Sequence, residues 1–536
     1  MTILSKTESL ETSIATMQRV LDNLGCGLTF AQEKHPLSHC YSINLASTEA
    51  PRHIYANGKG TLSDASKASA LGEYIERLQT NHFFTDFHLP QRSHFPDEVA
   101  FDFDGAYLNA ELKAFYEHDA LSLNELVDFN SDDVDSIIAL PFEKLRDASR
   151  VYFPINILNT LYVSNGLATG NSADEAKVQA LSEIFERYVK FEIIKNGYAL
   201  PSFPPSILDA FTDLRTDVAL LENAGYRIDI LDASLGGQFP VTAISLINPR
   251  KGTLFVSFGS HPLLEVSLSR TMSELMQGRD LNALDAFEIP TFDMALVEDP
   301  FNLESHFIDS NGKMGFGFLK KCKDFAYVPW GYQGLTCKDE FDYLQGIVSA
   351  LGKEIYLREY TYLGFYSCQM LVPAFSEIYP TQDLIYHNKN DGKSIRDMVL
   401  NTKAYKPLDV IEAMDGLEDA LDMEKYLGVL FESNFTMGLF KAHVHLSLGN
   451  LEEALVYLED SEELTHRIVG ELIRLELQGL AYEAYENAFE TLFTAKRVEH
   501  ARLIVEAKTG LIDTTFHKDY INLLNLYDKL WLKKVA

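Results

Sequence analysis

The chain has 536 residues, of which 46 are Lys or Arg and 78 are Asp or Glu, so its formal net charge is −32. Hydrophobic residues make up 46% and charged residues 23%, which is typical of globular proteins and excludes a disordered or fibrous chain. Because an acidic surface repels polyanions, the charge argues against direct nucleic-acid binding. It is compatible with a basic partner, and the alternative is that it serves only solubility. A chain of this length predicts about two to four domains.

Targeting and cysteine signals are negative. The first 13 residues mix acids with few apolar residues and lack the basic head and apolar stretch of a secretory signal. No run of eighteen apolar residues occurs, so we expect no membrane span. The five cysteines contain no CxxC pair, which predicts buried free thiols rather than disulfides or a zinc site. We therefore expect a cytoplasmic protein.

Over about the first 400 residues, short β-rich stretches alternate with longer helical patterns. The predicted helices include Asp64–Thr80, Asp174–Lys195 and Glu265–Gln277. The predicted strands include Val151–Ile155, Pro240–Leu246 and Thr253–Phe258. This alternation predicts an α+β domain, to which we assign residues 1–405.

The sequence changes character after about residue 410, where prolines end and strand patterns fade. Thr436–Leu458 predicts a helix, a Gly-Asn turn and a second helix. Within it, Ala442, Gly449 and Ala454 have the spacing of the small residues that let the helices of a tetratricopeptide repeat (TPR) pack closely. We predict an all-α, TPR-like domain over residues 406–536, which either caps the first domain or offers a platform to a partner.

Two segments of the chain repeat each other at an offset of 110 residues. Gly60–Arg77 reads GTLSDASKASALGEYIER, and Gly170–Arg187 reads GNSADEAKVQALSEIFER. Eight of these eighteen positions are identical in one register, including a shared Glu-x-x-Glu-Arg ending. We interpret the match as an internal duplication in which a glycine-led turn feeds a helix each time.

The polar residues of these helices share one face, because positions three, four and seven apart meet at 3.6 residues per turn. The first copy contributes Ser69, Glu73, Glu76 and Arg77. The second copy contributes Glu175, Gln179, Glu183, Glu186 and Arg187. A third predicted helix adds Arg270, Glu274 and Gln277.

Glutamates at positions i and i+3 repel each other unless a cation lies between them. Mg²⁺ prefers oxygen ligands and bridges to phosphate, and arginines donate charge-assisted hydrogen bonds to phosphate oxygens. A glycine-led helix start can also receive an anion. The residues thus predict a Mg²⁺-nucleotide site built from several helices. The alternative is a set of solvent-exposed faces with ordinary helix ion pairs.

Other nucleotide-binding motifs are incomplete in this chain. Asn57–Thr61 (NGKGT) is similar to part of a P-loop, but Gly60 stands where that motif needs Ser or Thr. No GxGxxG fingerprint follows a predicted strand. An ATP-grasp or ligase-like enzyme that acts on small acids also lacks any fingerprint here.

Six ordered motifs resemble a known family. They are SALGEYIERL, YVSNGLATGN, SEIFERYVK, SLGGQFPV, SFGSHP and the R-T-x-x-E-L-x-Q-G-R run at Arg270–Arg279. Together they closely resemble the YcaO-domain superfamily from the N-terminus through about residue 400, and more loosely into the helical tail.

The resemblance implies a YcaO-type ATP-binding domain with duplicated helix–strand units and with ATP and Mg²⁺ as cofactors. Members of the family phosphorylate an amide carbonyl oxygen of a peptide backbone, after which a nucleophile adds and phosphate leaves. By resemblance, the candidate Mg²⁺ ligands are Glu73, Glu76, Glu183, Glu186 and Glu274. The candidate nucleotide contacts are Lys6, Ser13, Ser69, Arg77, Asn171, Glu175, Arg187 and Arg270.

Two departures from the family pattern narrow the expected activity. Azoline-forming members end in a proline-rich tail with a reactive carboxylate, whereas this chain ends in LKKVA. We also expect no fused leader-peptide-binding domain. The resemblance therefore implies an amide-activating, ATP-hydrolysing enzyme, or an accessory factor for β-methylthiolation of an aspartate in a small-subunit ribosomal protein.

The partners implied by the resemblance are a basic ribosomal protein or peptide substrate, a radical methylthiotransferase and a second copy of the chain in a homodimer. The alternative function is a non-enzymatic, ATP-binding adaptor that recruits a modifying enzyme through its helical tail. The repeat-like tail and the missing proline terminus motivate that alternative.

Overall fold

The computed structural model describes residues 3–48, 50–51, 54–116, 123–308, 310–386, 390–459 and 461–536. The strands in this part are β1 (Leu28–Phe30), β2 (Lys34–Leu37), β3 (Cys40–Ser47), β4 (Tyr55–Gly60), β5 (Val99–Phe101), β6 (Ile137–Lys144), β7 (Arg150–Pro154), β8 (Leu167–Gly170), β9 (Arg227–Asp232), β10 (Val241–Asn248), β11 (Thr253–Ser260), β12 (Tyr356–Tyr360) and β13 (Tyr366–Leu371).

The helices of the first 400 residues are α1 (Leu10–Asn23), α2 (Ser63–Gln79), α3 (Ala110–Tyr116), α4 (Ile155–Ile157), α5 (Ala173–Asn196), α6 (Pro205–Leu208), α7 (Thr212–Asn223), α8 (Leu264–Met276), α9 (Met294–Glu298), α10 (Pro300–Ile308), α11 (Cys337–Ala350), α12 (Asp383–Tyr386) and α13 (Asn390–Leu400). A 3₁₀ turn at His82–Phe84 follows α2, and a π-helical turn at Leu158–Tyr162 follows α4.

The remaining helices are α14 (Pro407–Ala413), α15 (Met423–Leu427), α16 (Met437–Leu448), α17 (Leu451–Leu458), α18 (Leu464–Leu477), α19 (Glu486–Leu492), α20 (Ala495–Val505) and α21 (Lys518–Val535). Further 3₁₀ turns lie at Leu123–Leu126, Leu281–Asp285, Phe316–Leu319, Thr402–Ala404 and Tyr482–Ala484. Mixed α and β structure with a helical C-terminal region therefore agrees with the predicted fold class.

The strands form three antiparallel sheets. In the first sheet, β3 pairs with β1, β2 and β4, with Tyr41 opposite Gly60. The second sheet has the order β11-β10-β9, with Val241 opposite Ser260. The third sheet has the order β5-β6-β12-β13-β8, with β7 also paired to β6.

Three strand–helix units link these sheets into a ring. Each unit is a strand that leads directly into a long helix: β4 into α2, β8 into α5 and β11 into α8. Helix α2 packs against the first and third sheets, α5 against the third and second, and α8 against the second and first. The polar faces of the three helices are therefore brought to the centre of the ring.

Close packing between strand and helix explains several glycines of these units. A Cβ on Gly58 would collide with the carbonyl oxygen of Ser66, and one on Gly259 would lie 2.5 Å from the Thr271 hydroxyl. The expected glycine-led turns are wrong, because Gly60 and Gly170 are the last residues of β4 and β8. The glycines are required for space next to the helix rather than for a turn.

Helix α5 illustrates how local sequence sets the helix ends. The Ser172 side chain caps its first turn by accepting a hydrogen bond from the Glu175 backbone N–H. Gly197 ends it in the left-handed conformation with φ of 60°. Leu181, Ile184 and Phe185 are fully buried, as predicted for the apolar side of this helix.

The C-terminal helices share a hydrophobic core with the N-terminal ones. Leu21 and Leu71 of the first part lie in one cluster with Met423, Phe440 and Tyr527. Because this core spans the predicted boundary between residues 405 and 406, the division into two domains stays a prediction.

The helix–turn–helix predicted in the tail is confirmed as α16 and α17. Ala442 and Ala454 are fully buried in a second cluster between these helices, α18 and α20. Gly449 has a different role, because it ends α16 with φ of 73° and a Cβ there would meet nothing within 4 Å. The TPR-like character of the region stays a prediction.

All five cysteines lie in the described part of the chain and are free thiols. Cys26, Cys40 and Cys368 are buried as expected, whereas Cys322 is exposed and Cys337 is half-buried. The expectation of buried thiols is therefore wrong for Cys322. Among the described residues, no helix combines the length and apolar character that a membrane crossing requires.

Candidate functional site

Equivalent positions of α2, α5 and α8 carry a shared glutamate and a second polar residue that differs between the helices. Glu73, Glu183 and Glu274 each lie ten residues after the first residue of their helix. Ser69, Gln179 and Arg270 each lie six residues after it. The third helix thus repeats the first two, although its sequence matches them too weakly to have been recognised as a third copy.

The first two helices hold the same ion pair. The Arg77 Nη2 atom lies 2.7 Å from the Glu73 Oε1 atom, and the Arg187 Nη2 atom lies 3.0 Å from the Glu183 Oε1 atom. The two carboxylates are 24% and 23% exposed, so both pairs are partly buried. The duplication seen in the sequence is therefore a duplication of this pair.

Lys59 is a member of the cluster that the sequence did not predict. It lies at the end of β4 and forms an ion pair with Glu274 of α8. Burial lowers the pKa of the Lys59 ammonium, while the charges of Glu186, Glu73 and Glu183 act to raise it. The sequence identifies the NGKGT segment only as an incomplete P-loop, yet its Lys59 ammonium lies beside the glutamates.

The positive charges near the glutamates of the cluster do not offset the cost of burying these carboxylates. Burial raises the pKa of Glu73 despite Arg77 and Lys59, and it raises the pKa of Glu183 despite Arg187. The pKa of Glu76 is raised well above its usual range, first by burial and next by the Glu183 carboxylate. A divalent cation placed among these oxygens would relieve both the burial cost and the mutual repulsion.

The arginines have unused donors. Among the described residues, neither the Arg77 Nε atom nor the Arg187 Nη1 atom has a hydrogen-bond acceptor, although both atoms are buried. The Arg187 guanidinium also lies 4.5 Å from the centre of the Phe307 ring. Buried guanidinium donors without acceptors fit the oxygens of an anion such as phosphate.

The side-chain arrangement is not a preformed metal cage. In the part of the chain that the structure describes, no three His, Cys, Asp or Glu side chains are grouped as a metal site. Glu73, Glu183 and Glu274 each pair with a cation of the protein instead. The donor set fits Mg²⁺ together with phosphate, because phosphate would engage the arginines and leave carboxylate oxygens for the metal.

A second group of predicted residues lies at the start of α5. The Lys6 Nζ atom lies 3.0 Å from the Glu175 Oε1 atom, and the Thr7 backbone N–H donates to the same carboxylate at 3.1 Å. The Ser13 hydroxyl donates to the Asn171 Oδ1 atom at 2.9 Å, and the Asn171 amide donates to Glu175 at 3.1 Å. The N-terminal segment is thereby anchored at this helix start.

Hydrogen bonding decides the charge state of the buried Glu175 side chain. Burial acts to raise the pKa of this carboxyl, but Lys6 and the Thr7 and Asn171 hydrogen bonds outweigh burial and hold it below its usual value. Glu175 is therefore an ionised carboxylate with a lowered pKa, whereas the pKa values of Glu73 and Glu183 in the central cluster are raised.

Arg270 lies between the two groups. Its Nη2 atom donates to the Gln179 Oε1 atom at 2.6 Å, and its Nη1 atom donates to the Ser260 carbonyl at 3.1 Å. Burial lowers the pKa of the Arg270 guanidinium, opposed by Glu186 and then by Glu340 and Glu183. These interactions place Glu186 with the central cluster.

A neighbouring set of residues was missed by the sequence analysis. The Ser5 hydroxyl donates to the Glu340 Oε2 atom at 2.6 Å, and the fully buried His261 ring lies 2.9 Å from the same hydroxyl. The Leu263 N–H donates to His261 Nδ1, so His261 Nε2 carries the proton and donates to Ser5. These residues are too far apart in the chain for any spacing to have revealed them.

Comparison with known proteins agrees with this geometry. The family model described as YcaO cyclodehydratase, ATP- and Mg²⁺-binding, matches residues 57–376, which cover the three strand–helix units except the first two residues of β4. The chain belongs to the YcaO family. ATP and Mg²⁺ are therefore the cofactors of this YcaO domain, as the sequence predicted.

Two relatives match along most of their length. The Escherichia coli protein named "Ribosomal protein S12 methylthiotransferase accessory factor YcaO" is 36% identical over 99% of this chain and 98% of its own. An uncharacterized protein of Haemophilus influenzae is 39% identical over 84% of this chain and 81% of its own.

Solved structures of YcaO proteins are more distant in sequence. The YcaO protein of Methanopyrus kandleri, bound with AMPPCP and Mg²⁺, is 15% identical with a TM-score of 0.43 and covers 69% of this chain and 92% of its own. The E. coli microcin synthetase McbBCD complex with pro-MccB17 includes a chain that is 16% identical with a TM-score of 0.44, covering 65% of this chain and 88% of its own.

Proposed function

We propose that this YcaO protein uses ATP and Mg²⁺ to activate an amide of a polypeptide, and that it serves the methylthiolation of a small-subunit ribosomal protein. The observation that carries the proposal is the repeated Glu–Arg pair of α2 and α5, with buried arginine donors that have no acceptor among the described residues. Most buried polar groups have a hydrogen-bond partner, so free donors at both copies of the pair support an oxygen-rich ligand between the helices.

In this proposal the predicted residues divide their work along the helices. Glu73, Glu76, Glu183, Glu186 and Glu274 would hold Mg²⁺, which neutralises the charge of the triphosphate. Arg77 and Arg187 would turn their free donors to the phosphoryl group that is transferred. Lys6, Ser13, Ser69, Asn171, Glu175 and Arg270 would contact the rest of the nucleotide.

The amide chemistry follows from what these residues can stabilise. The amide oxygen forms the new bond to the γ-phosphorus, and the bond from that phosphorus to the bridging oxygen breaks with its electron pair leaving on ADP. A nucleophile then adds to the amide carbon, and phosphate departs with the electrons of the C–O bond. Arginines that face the γ-phosphate lower the barrier by matching the charge of this transfer.

The substrate assignment rests on the relative named as an accessory factor for the S12 methylthiotransferase. A net charge of −32 suits a basic ribosomal protein as partner. We include in the proposal a radical methylthiotransferase as second partner, homodimer formation and a TPR-like tail as the docking platform.

Isothermal titration of the protein with ATP and Mg²⁺ tests the site. We expect Glu183→Ala combined with Arg187→Ala to abolish measurable binding, whereas Glu192→Ala, on the same helix but outside the cluster, leaves it unchanged. Unchanged binding in the double variant would show that the helices hold structural ion pairs only.

A second experiment tests the reaction. We expect ribosomal proteins from cells without this protein to lack the mass of one methylthio group in intact mass spectrometry, and Glu73→Ala to abolish steady ATP turnover. If the Glu73→Ala protein does not turn over ATP but still supports normal methylthiolation in cells, the protein is a non-enzymatic adaptor instead.

A further inference from the structure

A small polar cavity lies beyond the arginine end of the site. It is bounded by the C-terminal end of α2, the π-helical turn Leu158–Tyr162 and strands β6, β8 and β13. Its volume of about 30 Å³ accommodates one or two water molecules or a single amide group. Its polar lining consists of Thr80, Asn81, His82, Thr85, His94, Asn130, Asn159 and Gln369.

Asn159 brings an unused hydrogen-bond acceptor to this cavity. The Asn130 side-chain amide donates to the carbonyls of Phe84, Thr85 and Phe87, so its Oδ1 atom is fixed as an acceptor. The Asn159 Nδ2 atom faces that oxygen at 3.4 Å. Within the described residues, the Asn159 Oδ1 atom receives no hydrogen bond.

Gln369 brings an unused donor from the opposite side. Asp97 binds the Arg358 guanidinium through two hydrogen bonds of 2.9 and 2.8 Å, and this guanidinium donates to the Tyr360 hydroxyl. The Tyr360 hydrogen is thereby directed to the Gln369 Oε1 atom, at 3.4 Å. The Gln369 Nε2 atom is left without a hydrogen-bond acceptor in the described part of the chain.

His82 connects the cavity to the two arginines. Asn81, in the left-handed conformation with φ of 64°, reverses the chain at the end of α2 and presents the His82 ring. Burial, and next the charge of Arg77, lower the pKa of His82 to about 3, with Asp86 opposing and Arg187 adding to the effect. No described residue forms a hydrogen bond with this neutral ring, so its N–H is free to donate.

The backbone is strained where the π-helical turn lines the cavity. Val163, which also lines the cavity, ends the π-helical turn with φ of 48° and ψ of −122°. A β-branched residue avoids positive φ, and π-helical turns are frequent at functional sites. Such strain persists only where the surrounding structure enforces it.

We propose that this cavity, the amide pocket, receives the carboxamide that the protein activates. The inference rests on the proposed function and assigns its acceptor site. Asn159 Oδ1 would accept the amide N–H, while Gln369 Nε2 and the His82 N–H would donate to its oxygen. The order of residues along α2 supports this placement, because Glu73, Arg77 and Thr80 lie on successive turns between the metal cluster and the pocket.

The pocket sets the geometry for phosphoryl transfer. The amide oxygen exchanges its hydrogen bond from the His82 N–H for the bond to the γ-phosphorus, so that the freed lone pair makes this bond while ADP leaves with the electron pair of the broken P–O bond. The proton of the amide nitrogen, held by Asn159, is released to water as the imidate forms. Such alignment would convert a random encounter into an in-line attack.

Saturation-transfer NMR with N-methylacetamide tests the pocket. The full-length protein is saturated with Mg²⁺ and AMPPCP, and methyl acetate serves as the matched probe because it keeps the carbonyl but lacks the N–H. We expect N-methylacetamide to bind about tenfold more tightly than methyl acetate, since the ester leaves the Asn159 acceptor unpaired.

Variants separate pocket binding from surface contacts. We expect Asn159→Ala and, independently, His82→Ala to weaken N-methylacetamide binding about tenfold. Asn196→Ala, the same change at an exposed position of α5, leaves it unchanged. The His82 ring has no hydrogen-bond partner among the described residues, so His82→Ala remains informative if Asn159→Ala protein is unstable.

The outcomes distinguish this inference from the proposed function. Equal binding of amide and ester, or binding unaffected by both variants, would show that the cavity holds structural water only and would overturn the inference. If AMPPCP with Mg²⁺ fails to bind the wild-type protein by isothermal titration, the proposed function fails. Normal AMPPCP binding together with equal binding of amide and ester would overturn the amide pocket and leave the proposed function standing.

Discussion

Lys59 at the end of strand β4 forms an ion pair with Glu274 of helix α8. The contact joins the first strand–helix unit to the third, so it closes the ring of helices around the site. Lys59 also lies within electrostatic reach of Glu73, Glu183 and Glu186. One lysine therefore supplies positive charge to glutamates from all three units.

Replacing this lysine should destabilise the ligand-free protein. We expect Lys59→Met, which keeps the length of the side chain but removes its charge, to lower the free energy of unfolding by about 1–2 kcal/mol. This is less than for a fully buried pair, because about a third of each side chain reaches solvent. Urea denaturation followed by circular dichroism measures the effect.

A matched variant and an added ion make this prediction specific. Lys67→Met removes an exposed i, i+3 pair with Asp64 and should cost less than about 0.5 kcal/mol. Mg²⁺ should reduce the difference in free energy of unfolding between Lys59→Met and wild type more than NaCl of equal ionic strength does. Equal effects of the two salts would contradict the assigned role of Lys59.

Proton release should accompany Mg²⁺-ATP binding. The pKa values of Glu73, Glu76 and Glu183 are raised above the ordinary 4.5, so their contribution to stability is full below pH 4.5 and lost as pH rises through the raised values. Mg²⁺ binds the ionised form of a carboxylate and displaces its proton. The affinity for Mg²⁺-ATP should therefore increase as pH rises above 4.5.

Isothermal titration in two buffers with different ionisation heats counts the released protons. We expect Glu183→Gln to release fewer protons than wild type, and Glu192→Gln, on the same helix outside the cluster, to release the same number. Net proton uptake on binding would contradict the assignment of these glutamates as metal ligands.

Sequence patterns recovered the elements whose signal is local. The apolar stripe and the duplicated Glu-x-x-Glu-Arg ending predicted α2 and α5 to within one residue at each end. The third unit was only partly recognised, because the feature that it shares with the first two helices is the spacing of its polar residues Arg270 and Glu274. Contacts such as Lys59 with Glu274, or Ser5 with Glu340, depend on how the sheets close into a ring. No pattern within one segment encodes that closure.

The strand glycines provide a test of the packing that brings the helices together. Gly259→Ala would place a Cβ 2.7 Å from both the Ser267 carbonyl oxygen and the Thr271 nitrogen, which are backbone atoms. We expect a loss of stability of at least about 2 kcal/mol, because the strand must move away from α8. Chemical denaturation monitors the change.

Gly346 of α11 is the matched control for this substitution. It has an ordinary helical φ, and a Cβ there would meet nothing within 4 Å. Gly346→Ala should raise stability by about 0.5–1 kcal/mol, since alanine favours the helix and loses less chain entropy on folding. A Gly259→Ala variant as stable as Gly346→Ala would refute the close strand–helix contact.

Acidic residues of the C-terminal helices should contribute to partner binding. The acids around α17 and the start of α18 are exposed, namely Glu452, Glu453, Glu459, Glu462 and Glu463. A basic small-subunit ribosomal protein would be attracted to this surface over about 10 Å at low salt. Association should therefore weaken steeply as ionic strength rises.

Charge-neutral variants locate the attraction on the tail. We expect the combination Glu452→Gln, Glu453→Gln, Glu462→Gln and Glu463→Gln to weaken binding of the ribosomal protein about five- to tenfold at 50 mM NaCl, mainly by slowing association. A control with four exposed acids neutralised elsewhere should change it less than twofold: Asp102→Asn, Asp104→Asn, Asp213→Asn and Glu222→Gln. Surface plasmon resonance at several salt concentrations separates the rates. Because electrostatic steering acts before contact, an effect confined to the dissociation rate, or equal effects of the two sets, would assign the partner surface to another part of the molecule.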